Sequence, residues 1–251
     1  MSMEFANPLE LPAAYEPVPL NDRSNVLART VEMARQGDGE GTLVWATAQE
    51  NGPARPGKTW YSPDQGLYLG VILEPEFEPG KAGEIGLVGL VAMGVAIAEE
   101  VAPMTDLAYR WPNDILLSGS KVGGVQLRHN PKEGWLVLGV SINVAKEPAE
   151  VIDGGCVCTE GGTPELLPEQ LLKDFARSFL HWLNRWDEEG LEPVLLQLKG
   201  RQGATGDPVL VALDHGETVA GVFQEVTPDG SLCVEVNGQE RLITLNEFFS
   251  L

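Results

Sequence analysis

Residues 85–98 form an unbroken run without a charge, and Glu84 and Glu99 close it on either side. The run is shorter than the ~18 or more residues a membrane span needs. It therefore predicts a helix buried in a protein core, over residues 84–101, and a helix apolar on every side needs cover on every side. The rest of the chain must supply that cover.

The hydrophobic periods on both sides show how. Ser24 precedes a helical pattern at residues 26–35, with Val26, Leu27, Val31 and Ala34 on one face. Residues 42–46 read as a short strand, and in 66–73 Leu67, Leu69, Val71 and Leu73 alternate. After the buried helix, strands are expected at 107–110, 114–117, 121–128 and 135–144, with Ser118, Gly119 and Ser120 as the turn between the second and third. Pro168 suits the first turn of a helix running to 188, whose Leu171, Phe175, Phe179, Trp182 and Trp186 make one apolar stripe. Beyond Gly200 come short runs at 208–213, 218–226, 232–236 and 241–244, separated by Gly216, Asp229-Gly230 and Asn237-Gly238. Asn-Gly between β-runs is a strong hairpin signal, because both residues tolerate positive φ. The expected architecture is α+β: a mixed sheet with helices packed on it over residues 1–200, then a small C-terminal β-barrel over 201–251. Residues 1–20, rich in proline, read as an extended arm.

Charge narrows the partners. Seventeen Lys+Arg against 37 Asp+Glu give a net charge of −20. That field repels a phosphate backbone, so DNA is not an expected partner. A local pocket can still oppose the global sign and hold a small anion. Three cysteines make no even disulfide set, and the first residues show neither a basic nor an apolar leader segment. A reducing, cytoplasmic setting with no membrane attachment is the expectation.

One segment carries chemistry. Arg110-Trp111-Pro112-Asn113-Asp114 and Lys121-Val122-Gly123-Gly124-Val125 lie on two strands joined by a tight turn, which gathers Asn113, Asp114 and Lys121 near one end of a hairpin. Glycines let a ligand approach the backbone, and a lysine ammonium adds a point charge, a combination suited to an anion. A second segment, residues 52–58, sets Arg55 and Lys58 between Gly52 and Gly57, so that a loop can close on a phosphate. Each residue also has a plainer reading. Ser24 is an ordinary helix N-cap, Trp60 and Trp111 are packing residues, and Asp114 is a turn residue. Cys156 and Cys158 lack companions for a metal site but leave open a thiol acyl transferase that would need no ATP.

Together these segments resemble the biotin protein ligase family, within the biotin/lipoate ligase superfamily. The family hairpin reads Lys-Trp-Pro-Asn-Asp followed by Lys-x-x-Gly-Ile, and its Gly-x-Gly-Ile-Asn strand has a counterpart in Gly139-Val140-Ser141-Ile142-Asn143. A weakened form of the early Asp-Ser-Thr-Asn turn stands at Asp22-Arg23-Ser24-Asn25. The resemblance implies ATP and Mg²⁺, biotin or a lipoate-like acid, a biotin carboxyl carrier domain as acceptor, and a homodimer as an allowed assembly. It implies activation of the acid as an acyl adenylate and transfer to a carrier lysine. Lys121 and Arg55 would act in catalysis. Ser24, Gln49, Gly52, Trp60 and Gly124 would hold the acid. Lys58, Asn113, Asp114 and Asn143 would hold the nucleotide, with Asp114 toward Mg²⁺. Two departures stand out. The family loop Gly-Arg-Gly-Arg-x-Gly-Arg is here Gly52-Pro53-Ala54-Arg55-Pro56-Gly57-Lys58, and Arg23 replaces a small hydroxyl residue. The altered loop also admits a relative that binds the acid without activating it.

Overall fold

The computed structural model describes residues 9–50, 52, 53, 59–149, 151, 153–213 and 215–251; for 52, 53, 59 and 60 it describes the backbone. The elements run β1 (Glu16–Pro19), α1 (Val26–Gln36), β2 (Thr42–Ala46), β3 (Gly52–Pro53), β4 (Thr59–Trp60), β5 (Leu67–Leu73), a 3-10 turn (Pro79–Lys81) and α2 (Glu84–Glu100). They continue with β6 (Leu107–Arg110), β7 (Asp114–Leu117), β8 (Ser120–Asn130), β9 (Trp135–Ile142), α3 (Val157–Glu160), α4 (Pro168–Glu189) and α5 (Glu192–Leu198). The last five are β10 (Pro208–Ala212), β11 (Thr218–Val226), β12 (Leu232–Val236), β13 (Gln239–Ile243) and α6 (Leu245–Phe249).

Seven strands form a mixed sheet in the order β1-β2-β5-β9-β8-β7-β6. Only β1–β2 is parallel among its ladders. The helix α2, uncharged over residues 85–98, lies on one face of this sheet, with α4 over its back. Leu69, Val71, Val125, Leu127, Leu138 and Val140 from the strands, Leu87, Leu90 and Met93 from α2, and Phe175 and Phe179 from α4 share one core. Thus α2 is covered by a sheet on one side and a helix on the other, as its all-round apolarity demands. At Gly94 a Cβ would run into the ring of Tyr109, so glycine there lets helix and strand approach. Pro168 occupies the first turn of α4, as expected.

The opposite face is covered by α1 over β2, β5 and β9 only, where Val26 and Met33 meet Val44, Tyr68, Ile72 and Val137. Over the same face of β8, β7 and β6 lies a cavity that residues of a second sheet and of α6 also line. That sheet is antiparallel in the order β10-β11-β12-β13. Among the described residues no ladder joins β10 to β13: the separate C-terminal sheet is there, and a closed barrel is not shown. Val211, Phe223, Leu232, Val234 and Ile243 belong to the main core.

Other corrections are local. Residues 16–19 of the expected arm pair with β2 as an edge strand; Pro17 and Pro19 remove donors that an edge strand can spare. The strand expected at 121–128 runs from Ser120 to Asn130 and takes in His129. Asn25, not Ser24, caps α1, its side chain accepting from the Ala28 N–H at 3.0 Å.

Candidate active site

The β7–β8 hairpin sets the site. Asp114 stands opposite Gly124, and an irregularity after Ile115 shifts the register so that Lys121 faces Leu116. Lys121 Nζ donates to Asp114 Oδ1 at 2.6 Å, and Arg110 Nη1 lies 3.6 Å from Asp114 Oδ2. One carboxylate thus holds two cations in place. Asn113 is tied to β8 twice: its carbonyl accepts from Val125 N at 2.9 Å, and its Nδ2 donates to Val125 O at 3.2 Å. A Cβ on Gly124 would stand 2.7 Å from the Asn113 carbonyl oxygen. Backbone does not yield to such a contact, so only glycine fits.

Asn143, 2% exposed, follows the end of β9. Its N–H donates to Val122 O at 2.8 Å, its Nδ2 to Gly155 O at 3.0 Å, and its carbonyl accepts from Val157 N at 2.9 Å. Its Oδ1 is buried with no hydrogen-bond partner among the described residues. A buried acceptor without a donor costs free energy. Gln49 is also buried; Oε1 accepts from Val26 N at 2.9 Å and Nε2 donates to Ser62 Oγ at 3.0 Å. It therefore anchors the first residue of α1. Ser24 turns its hydroxyl to Asp22 at 2.6 Å, and these Ser24 hydrogen bonds hold the Asp22 carboxyl below its ordinary value.

Two adjoining cavities open on the face of the main sheet that carries α1, one beside that helix and one beneath it. The larger, about 690 Å³, takes in Asn113, Asp114, Lys121 and Gly124, with Arg110 and Arg201 on the β6 side and Val209 and Val211 of β10 opposite. The smaller, about 270 Å³, runs under α1 and takes in Asn25 and Gln49. Gln126, Arg128 and Ser141 belong to both. The sequence-predicted residues Lys121, Asn113, Asp114, Gly124 and Gln49 are therefore brought to one continuous space. Ser24 and Asn143 are not among the described residues lining it. Gly52 and Trp60 face each other across the short β3–β4 ladder. Arg55 and Lys58 lie outside the described residues.

Sequence reasoning missed Gln126, Arg128 and Ser141, although strand alternation points to them: 126 and 128 share a face with Gly124, and Ser141 with Gly139. It also missed Arg201, whose backbone carbonyl accepts from Tyr109 N at 2.7 Å. Burial pushes the Tyr109 phenol up to about 12, with Arg201 opposing. Trp111, for which packing was one reading, does pack. Its Nε1 donates to Gly230 O at 2.9 Å, and its ring meets Phe248 edge-on at 5.2 Å. Cys156 is buried beside Thr159 Oγ1 at 3.4 Å.

The donor set does not suit a resident Mg²⁺. Among the described residues no three His, Cys, Asp or Glu side chains converge, and both oxygens of Asp114 already face cations.

A mixed sheet that presents a lysine–carboxylate–arginine cluster to the larger of two joined cavities defines an α+β protein with a cationic, cavity-lining cluster. The particular family follows from comparison. The family model for the biotin/lipoate A/B protein ligase family matches residues 11–198, and the chain belongs to that family. It is similar to a biotin–[acetyl-CoA-carboxylase] ligase of Paracoccus denitrificans, 27% identical over 238 residues, covering 89% of this chain and 99% of the relative. A biotin protein ligase-like protein of unknown function from a Silicibacter species superposes with a TM-score of 0.76 at 20% identity, over 94% of this chain and 96% of that one. The biotin protein ligase of Aquifex aeolicus, solved with biotin and ATP, superposes with a TM-score of 0.75 at 22% identity, over 93% and 97%.

Proposed function

We propose that this chain is an ATP-dependent ligase that activates biotin, or a related carboxylic acid, and transfers it to a lysine of a carrier protein. The observation that carries the reading is Lys121 held at 2.6 Å from Asp114, at the mouth of a cavity that adjoins a second one. One cavity suits a nucleotide and the other an acid; Lys121 lines the larger, and Gln126, Arg128 and Ser141 stand where the two meet. In the first step a carboxylate oxygen of the acid bonds to the α-phosphorus of ATP and pyrophosphate leaves. In the second, a lysine amine of the carrier attacks the acyl carbonyl and AMP leaves. Negative charge gathers on phosphate oxygens in the first step, so Lys121 and Arg110, fixed in advance by Asp114, lower its barrier electrostatically. Mg²⁺ would arrive as a counter-ion of the triphosphate. The Paracoccus relative bears the name of such a ligase, and the family membership supports the same reaction class.

The test is acid-dependent pyrophosphate release from ATP, measured separately with biotin, lipoate and octanoate. The loop at 52–58 makes the test sharper. Pro53 replaces a family arginine and removes one backbone N–H. A lost charge-assisted hydrogen bond costs about 1.5–3 kcal/mol, or roughly ten- to a hundredfold in rate. The natural protein should be slow but active, and Pro53→Arg combined with Ala54→Gly should accelerate it. Absence of adenylate from both proteins with all three acids would end the ligase reading.

A further inference from the structure

The smaller cavity does not stop beside Gln49. It continues along the groove between α1 and the β8–β9 pair, where Val31, Arg35 and Arg128 line it. Arg128 stands four residues beyond Gly124 on β8, about 13 Å along the strand at ~3.3 Å per residue. None of the described residues lining this cavity is acidic, in a chain with 37 Asp+Glu against 17 Lys+Arg. Such a lining runs against the composition and needs a cause.

Arg35 has an ordinary one. It sits in the last turn of α1, where a cation complements the helix dipole, and it stands over the Trp135 ring at 6.0 Å. Arg128 has none of this kind. It lies near the end of β8, two residues before Asn130, and is half-buried. Its hydrogen bond runs from Nη1 to the carbonyl of its own neighbour Leu127 at 2.7 Å. Among the described residues no carboxylate lies within ion-pair distance of it. Most of the five donors of its guanidinium fork remain unused. Taking a cation partly out of water without a counter-ion is unfavourable, and a neutral strand residue would avoid the cost. An anion in the groove would offset it, and Gln126 and Ser141 add uncharged hydrogen-bonding groups on the way from Lys121.

We propose that Arg128 recognises a second anionic group on the acid, so that the acid activated here carries a carboxylate or phosphate-like group remote from the carboxyl that becomes the adenylate. Biotin and lipoate have uncharged heads and would leave this position unfilled. The choice of adenylated carboxyl rests on the ligase reading above; the anion position itself does not, because binding alone reads it out.

The experiment compares decanoic acid, decanedioic acid and ω-phosphonodecanoic acid on the full chain. Acid-dependent pyrophosphate release is measured for the natural protein, Arg128→Gln and Arg128→Lys, each checked for folding by circular dichroism. Binding of the same acids without ATP is measured by calorimetry. The natural protein should favour at least one doubly anionic acid over decanoic acid by about ten- to a hundredfold in kcat/KM or affinity. Arg128→Gln should bring the ratio close to one, and Arg128→Lys should recover part of it. Comparison of the two doubly anionic acids identifies the second group as carboxylate or phosphate-like. Equal or better use of decanoic acid by the natural protein overturns the proposal while leaving the ligase intact. So does a preference unchanged in Arg128→Gln, or a variant that raises the KM for ATP equally with every acid, which would assign Arg128 to the nucleotide. Arg128-dependent binding of a doubly anionic acid without pyrophosphate release would uphold the anion site and remove the ligase reading.

Discussion

Asp114 is shared between Lys121 and Arg110, so neither cation has to be gathered from solvent when a phosphate arrives. The same sharing limits what each cation does for stability. Lys121 is 27% exposed and Asp114 13%, and a pair of this kind contributes about 0–1 kcal/mol. With Lys121 gone, Asp114 keeps Arg110 at 3.6 Å. Lys121→Ala should therefore abolish adenylate formation while moving the unfolding free energy by no more than about 1 kcal/mol. Pyrophosphate release and urea unfolding, measured on the same preparation, check the two halves. A folded Lys121→Ala protein that still adenylates would remove the main catalytic assignment. At this scale the sequence was most readable where the chemistry is contiguous. Arg110, Asn113, Asp114, Lys121 and Gly124 lie within one hairpin, so spacing alone gathers them. Arg128 shares the alternation of Gly124 but stands four residues beyond the motif, and Arg201 reaches the larger cavity from a linker, where no period announces a side chain's direction.

Between elements, the contact of α2 with α4 brings two carboxylates together. Glu100 ends α2, and Asp174 of α4 is 4% exposed. Arg177 and Gln170 both donate to Asp174. Burial first, then the hydrogen bond and charge of Asp174, with Glu99 nearby, raise the Glu100 carboxyl above its ordinary value. A folded-state value above the unfolded one means that the folded chain binds more protons in that window. Stability from this group is therefore complete below the ordinary glutamate value and falls as pH rises through the raised one. Glu100→Gln should stabilise the protein at neutral pH and flatten this part of the profile. Urea midpoints collected from about pH 4 to pH 8 would show it; a mutant profile parallel to the natural one would refute it. The helices themselves were legible because α1, α2 and α4 are long and strongly patterned. β1 was hidden by its prolines, and α5 and α6 are too short for a period to show. Their helical state is decided by where Val194, Leu198, Phe248 and Phe249 become buried, which is tertiary information.

Over the whole molecule, the two sheets are joined by one core rather than by a polar seam. Leu232, Leu245, Phe248 and Phe249 are each less than 9% exposed and share the main hydrophobic cluster. Phe249 fills the space that a side chain on Gly86 of α2 would take, and Leu245 does the same at Gly83. Asn246 Oδ1 accepts from the Gly83 N–H at 3.0 Å, so α6 caps the buried helix from outside. Trp111, inside the site motif, donates to Gly230 in the turn of the second sheet. Burying one large apolar side chain contributes about 1.5–3 kcal/mol, so four of them approach the ~5–15 kcal/mol of a typical protein's net stability. A chain cut after residue 200 loses these contacts and uncovers α2, the longest uncharged surface in the sequence. It should be insoluble or unfolded, and the full chain should unfold in one cooperative transition followed alike by tryptophan fluorescence and far-UV circular dichroism. A soluble 1–200 fragment with the natural chain's unfolding midpoint would show that the second sheet is dispensable to the core. It would also separate the role of Trp111 in the site from its role in holding the sheets together.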